Sequence, residues 1–144
     1  MRLRAALGSD LVPSLIAGHS RSNRAARVRA APGARQPLPA AGRGLRRAQG
    51  HSRDMALSGA FAHRGSDGRD AAERAERQGY LWSAVGETLA YSTPGHFDAE
   101  TVVDAWLGSP GHCATLLEPA FRELGAGRDL GALEYWTVVL GAPL

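Results

Sequence analysis

Apolar positions from Leu45 onward recur with periods that define elements. Leu45, Ala48, Ser52, Met55 and Ala56 fall near helical spacing and Gly59 stands where a helix would end, which predicts a helix over 45–58. His51 and Asp54 are then on or near its exposed side. Asp70 to Gly79 repeats the logic as a short surface helix, with Asp70 as N-cap, Glu73 three residues on to complete a capping box, and Gly79 as the stop. Asp98 caps a third helix whose Val102, Val103, Trp106 and Leu107 make an apolar stripe; Glu100 suits the helix dipole, and Pro110 and Gly111 end it. Two strands follow over 124–128 and 133–140, the second rich in β-formers (Tyr135, Trp136, Thr137, Val138, Val139), joined through Asp129, Leu130 and Gly131 as an antiparallel hairpin. No repeated strand–helix–strand unit demands a parallel sheet, so the fold class is α+β, in layers.

Ahead of Leu45 the pattern disappears. From Arg21 to Arg47, 21 of 27 residues are Arg, Ala, Pro or Gly, with no acid, no aromatic and no sustained period. Residues 1–44 read either as a disordered basic leader or as the product of translating a GC-rich gene in the wrong frame, and 45–144 as the single folded domain. The formal net charge of +3 hides a division. Residues 1–50 carry ten arginines and one acid, giving +9, and residues 51–144 carry seven arginines and thirteen acids, giving −6. An acidic domain gains nothing from phosphate electrostatics, so no nucleic acid is expected on it, and a salt-sensitive nucleic-acid activity would have to reside in the basic arm. No transmembrane segment is expected, since the apolar patch Leu11 to Ala17 is interrupted by Pro13 and Ser14. A basic start (Arg2, Arg4) without a long apolar run gives no clear signal peptide. The lone Cys113 excludes an intrachain disulfide and leaves the redox compartment open.

Five blocks in order carry a resemblance: HSRDMA (His51 to Ala56), FAHRG (Phe61 to Gly65), VGETLA (Val85 to Ala90), AWLGSPGHCATLLEPAFRELGAG (Ala105 to Gly127) and YWTVVLG (Tyr135 to Gly141). Their order and spacing resemble the bacterial CAP domain, the SCP-like superfamily of cysteine-rich secretory, antigen 5 and pathogenesis-related proteins. The resemblance implies an α-β-α sandwich in which helices flank a small antiparallel sheet. It also implies a further helix before the first block, for which 11–44 offers no candidate, so the sandwich is expected to lack its first helix and to leave apolar surface uncovered. An extracellular or cell-envelope location is what the family suggests.

The resemblance further places a cleft where histidines and acids converge. Carried over by position, His63 of FAHRG and His112 of SPGHC match the family's histidines, Glu87 of VGETLA matches its first glutamate, and Ser109 falls where a second acid would stand. Two neutral imidazoles, a carboxylate and a water are a chemically sound set for zinc or another divalent cation, which makes His63, His112 and Glu87 the candidate metal ligands and Ser109 a further ligand-binding residue. Thr88 replaces the asparagine usual after that glutamate, and Cys113 and Thr115 replace the arginine and asparagine usual after the histidine, so hydrogen bonds made by those amides must be re-routed. Cys113 reads as a small packing residue, because sequence neighbours do not face one another and His112 is badly placed to deprotonate it. His96 reads as a solvated turn residue, and His19 and His51 take no role. Trp82, Trp106, Tyr135 and Trp136 read as core.

Two functions follow. One is a non-catalytic binding module for a small apolar ligand, a cell-envelope component or another protein. The alternative is a metal-assisted hydrolase of peptide or cell-wall substrates, with Glu87 as ligand or general base. A groove with no nucleophile marks the first; a complete site with an activated water marks the second.

Overall fold

A computed structural model describes Leu45 and residues 48–144. The leader expected over 1–44 and the missing first helix lie outside the described residues. The elements run α1 (Ala48–Ser58), α2 (Ala71–Glu76), β1 (Trp82–Ser92), α3 (Ala99–Leu107), α4 (Pro110–Leu116), β2 (Glu123–Leu130) and β3 (Glu134–Pro143). The strands form one antiparallel sheet in the order β1-β3-β2, with β3 in the centre and β1 and β2 as its two edges.

Strand alternation sorts the sheet into two faces. Ala90, Trp136, Val138 and Leu140 point to one side and meet Val102, Val103 and Trp106 of α3, with Phe97, Phe121, Leu124 and Ala126 around them. Val139 and Val85 point to the other side against Leu45, Ala48, Ala75 and Tyr80, and beside them Leu89 and Tyr135 pack on Met55. The architecture is therefore the α-β-α sandwich. Because helices cover both faces, β3 is buried from Glu134 to Ala142, and the exposed sheet expected from a missing helix is not seen there.

Local chemistry explains where the elements start and stop. Asp70 accepts from the Glu73 amide while the Glu73 carboxylate accepts from the Asp70 amide, both at 2.9 Å, so the anticipated capping box forms; Gly79 follows at φ +77°. Asp98 caps α3 with bonds from the Glu100 and Thr101 amides, and Trp106 donates its indole N–H to the Leu89 carbonyl at 2.9 Å, tying the helix to β1.

Several expectations are corrected. Pro110 does not merely end a helix: it opens α4 at a position where its missing N–H costs nothing. Leu107 is exposed and leaves the stripe to Val102, Val103 and Trp106. The hairpin turns later than expected, closing at Gly131 to Leu133 (2.8 Å), while Asp129 and Leu130 still pair with Tyr135 and Glu134. β1, which the sequence analysis does not name as a strand although it holds the VGETLA block, is a full eleven-residue strand.

Candidate functional site

β1 is an edge strand, so the two helical layers come together around its free side, and the site lies there. Glu87 points from β1 toward the α1 and α2 layer, where its side chain is 3% exposed. A carboxylate so buried needs partners, and it has them. Oε1 accepts from His63 Nδ1 at 2.9 Å, and Oε2 accepts from the Arg74 guanidinium of α2. The other Arg74 terminal nitrogen donates to the carbonyls of His63 and Arg69, both at 2.8 Å. One guanidinium thereby ties α2, the 59–70 loop and the sheet together.

His51 lies behind this group. Its ring is buried, Nε2 donates to the Ala62 carbonyl at 2.9 Å, and the same nitrogen is 3.9 Å from Glu87 Oε1. Burial holds its pKa below the ordinary value of 6.5, against the opposing pull of the Glu87 charge. The expectation that His51 sits on an exposed helix side is overturned. With Ala48, Ser52 and Met55 it forms the inward stripe of α1.

His112 comes from the opposite layer. It is half-buried on α4, its Nδ1 is enclosed without a partner among the described residues, and its pKa is lowered first by burial and then by the nearby His63. His63 and Glu87 are thus bonded, and His112 lies within electrostatic range of His63 without a hydrogen bond to either. Ser109 is the N-cap residue of α4 and makes no side-chain capping bond. Among the described residues its side chain makes no hydrogen bond to the other three. Gly86, next to Glu87, must be glycine, since a Cβ there would come within 2.8 Å of Phe121 and 2.9 Å of Thr115. That close approach brings α4 to the strand.

The substituted positions take different routes. Thr115 returns its hydroxyl to the Gly111 carbonyl of its own helix at 3.2 Å, whereas the buried Thr88 hydroxyl has no partner among the described residues. Cys113 is a half-buried free thiol. His96 is also half-buried, with Nε2 enclosed and its ring edge-on to Phe97, so it is not a solvated turn residue.

The residues do not fit the expected His₂Glu metal site. Glu87 spends one oxygen on His63 and the other on Arg74, and among the described residues no group of three or more His, Cys, Asp or Glu is placed to hold a metal ion. The chemistry present is that of a fixed, charge-compensated carboxylate holding one imidazole, with a second imidazole approaching from the opposite layer. Sequence reasoning missed Arg74 and His51. The signal for His51 was the i, i+3, i+4, i+7 series that it completes with Ala48, Ser52 and Met55; no comparable signal marks Arg74.

Among the described residues no helix is long and apolar enough to cross a membrane. Comparison with known proteins supplies the lineage. The family model described as CAP, cysteine-rich secretory protein family, matches residues 45–140. A Bacillus subtilis protein named as an uncharacterized membrane protein, YlbC, is 33% identical over 80 residues, which are 56% of this chain and 22% of that protein. An extracellular protein containing an SCP domain from Bacillus anthracis superposes with a TM-score of 0.63 at 26% identity, covering 74% of this chain and 34% of that one. An outer surface protein of Borrelia burgdorferi gives a TM-score of 0.61 at 19% identity over 70% of this chain and 74% of its own, a likeness of fold alone. The chain thus spans about a fifth of the Bacillus subtilis relative and a third of the Bacillus anthracis protein.

Proposed function

We propose, from the premise that this chain belongs to the CAP, cysteine-rich secretory protein family, that it is a non-catalytic binding module whose ligand sits between His63 and His112 at the β1 edge. The observation that carries this reading is the state of Glu87. A general base or metal-bound carboxylate needs an oxygen open to the reacting water, and the Glu87 side chain is 3% exposed with each oxygen already bonded, one to His63 and one to Arg74. What remains for a ligand is the exposed part of the His63 ring, the half-buried His112 and the strand between them.

The groups offered to a ligand are two imidazoles, which favours a cell-envelope saccharide or peptide over a small apolar ligand. Two relatives, an extracellular protein and a membrane protein, favour an envelope setting for this chain too. A metal-assisted hydrolase has less support, because it requires Glu87 to abandon a buried ion pair.

Titration of the ¹⁵N-labelled full chain with a soluble muropeptide, a disaccharide bearing a short peptide stem, tests the proposal. The expected shifts concentrate on the amides of His63, Gly86, Glu87 and His112 and vanish in His63→Ala, while mass spectrometry finds the probe intact. Shifts confined to another surface, or a cleaved probe, would contradict it.

A further inference from the structure

We infer that Arg74 and His51 are positioning residues that fix His63 as its Nδ1–H tautomer, so that the cleft offers Nε2 as a hydrogen-bond acceptor and selects ligands that bring a hydroxyl or amide N–H donor. This rests on the binding reading above and deepens it by naming the ligand chemistry.

The tautomer follows from donor accounting. An ionised carboxylate only accepts, so the proton in the 2.9 Å contact between Glu87 Oε1 and His63 Nδ1 belongs to the ring. Arg74 keeps this arrangement in place twice over. It holds the second oxygen of Glu87, which fixes the carboxylate plane, and it holds the backbone carbonyl of His63, which fixes the residue carrying the ring. In the neutral ring Nδ1–H leaves Nε2 with its lone pair. The ring is 36% exposed while Glu87 is 3% exposed, so the buried end is the one that binds the carboxylate and the open end faces outward.

His51 acts on the same residue from the other side. Its Nε2–H holds the carbonyl of Ala62, immediately before His63. Ala62 is exposed and Phe61 packs edge-on against Tyr91 with ring centroids 4.7 Å apart, so the loop is anchored by Phe61, His51 and Arg74 in succession. A second-layer partner that orients an imidazole and sets which nitrogen is free is a familiar device wherever a histidine must present one lone pair. His112, whose pKa is lowered first by burial and then by His63, brings a second imidazole near the first. An imidazole acceptor on His63 suits the hydroxyls and amides of a saccharide.

Long-range ¹H–¹⁵N correlation on the imidazoles of the full chain reads the tautomer without any ligand, so its failure is separate from failure of the binding proposal. His63 is assigned by its absence in His63→Ala. The wild-type ring should show protonated Nδ1 and unprotonated Nε2. Arg74→Met should shift it to a mixture or to the Nε2–H form, His51→Leu should broaden or mix it, and His51→Gln, whose side-chain amide replaces the Nε2–H donor, should restore the wild-type pattern. The Trp106 indole signal, bonded on the opposite sheet face, reports that each variant is folded. A wild-type His63 found as Nε2–H overturns the inference whether or not the variants fold. So does an unchanged His63 pattern in folded Arg74→Met and His51→Leu.

Discussion

Histidines buried in neutral form make a protein sensitive to acid. His51 and His112 both have pKa values lowered from 6.5, His51 chiefly by burial and His112 by burial and then by His63. The unfolded chain therefore takes up protons at these sites before the folded chain does, and stability rises with pH across the interval between the folded and unfolded values. Their contribution is fully present above the unfolded value and is lost as pH falls below 6.5 toward the lowered folded values. The urea midpoint should accordingly drop between pH 7.5 and pH 5.5, and His51→Gln combined with His112→Gln should flatten that dependence. An equally steep drop in the double variant would place the acid sensitivity elsewhere. At this scale the sequence was partly legible. The resemblance names His63 and Glu87, which the structure places in hydrogen-bond contact, but Arg74 is invisible in the sequence because its role depends on where a short helix docks and not on any spacing along the chain. His51 is buried because it completes the inward stripe of α1 with Ala48, Ser52 and Met55, a place that its polar side chain masks in the sequence.

Elements were legible in proportion to how local their causes are. The capping box at Asp70 depends on residues three apart and formed as read, and Asp98 caps α3 as read, with Thr101 closing a second box that the sequence analysis does not name. β1 was hard to see because Glu87, Thr88, Leu89 and Ala90 are all buried, so the alternation that reveals a one-sided strand is absent. The helix opened by Pro110 was hidden behind a residue read as a stop. Contacts between elements were not legible at all. Gly127 allows α1 to lie directly on the β2 edge: a Cβ there would fall 2.2 Å from the Gln49 nitrogen. The Gln49 side chain then serves the edge strand as a neighbouring strand would, accepting from the Arg128 amide at 3.0 Å and donating to the Arg128 carbonyl at 2.7 Å. Ser52 extends the seam inward, with its hydroxyl bonded to the Gly127 carbonyl at 3.0 Å and to the Thr137 hydroxyl at 2.8 Å. Since Ser52 has one proton for the carbonyl, Thr137 is the donor to Ser52. Gly127→Ala should destabilise the protein by about 3 kcal/mol, because the obstacle is backbone and relief requires the helix to move. Chemical denaturation measures this, and a loss below about 0.5 kcal/mol, the scatter of ordinary surface substitutions, would mean that α1 is not seated as described.

For the whole molecule, the sandwich explains why a site forms at one sheet edge. Central β3 is covered on both faces, β2 is closed by Gln49, and β1 is where α4 and the loop carrying His63 approach each other from opposite layers. The fold class could be read from the chain because helices and antiparallel strands of these lengths have few ways to pack, and the family model covers the same residues, 45–140. The use of the cleft could not be read from type and order of residues, since the same histidines and glutamate serve a metal or a fixed carboxylate according to what Arg74 does. The most direct test is incubation of the full chain with purified insoluble peptidoglycan sacculi, scoring pelleted protein and soluble fragments together over time. The account predicts that the protein pellets with the sacculi, that His63→Ala with His112→Ala leaves it in the supernatant, and that no fragments are released. Fragments that accumulate with time and protein concentration, and cease in the double variant, would contradict it and make this cleft an active site.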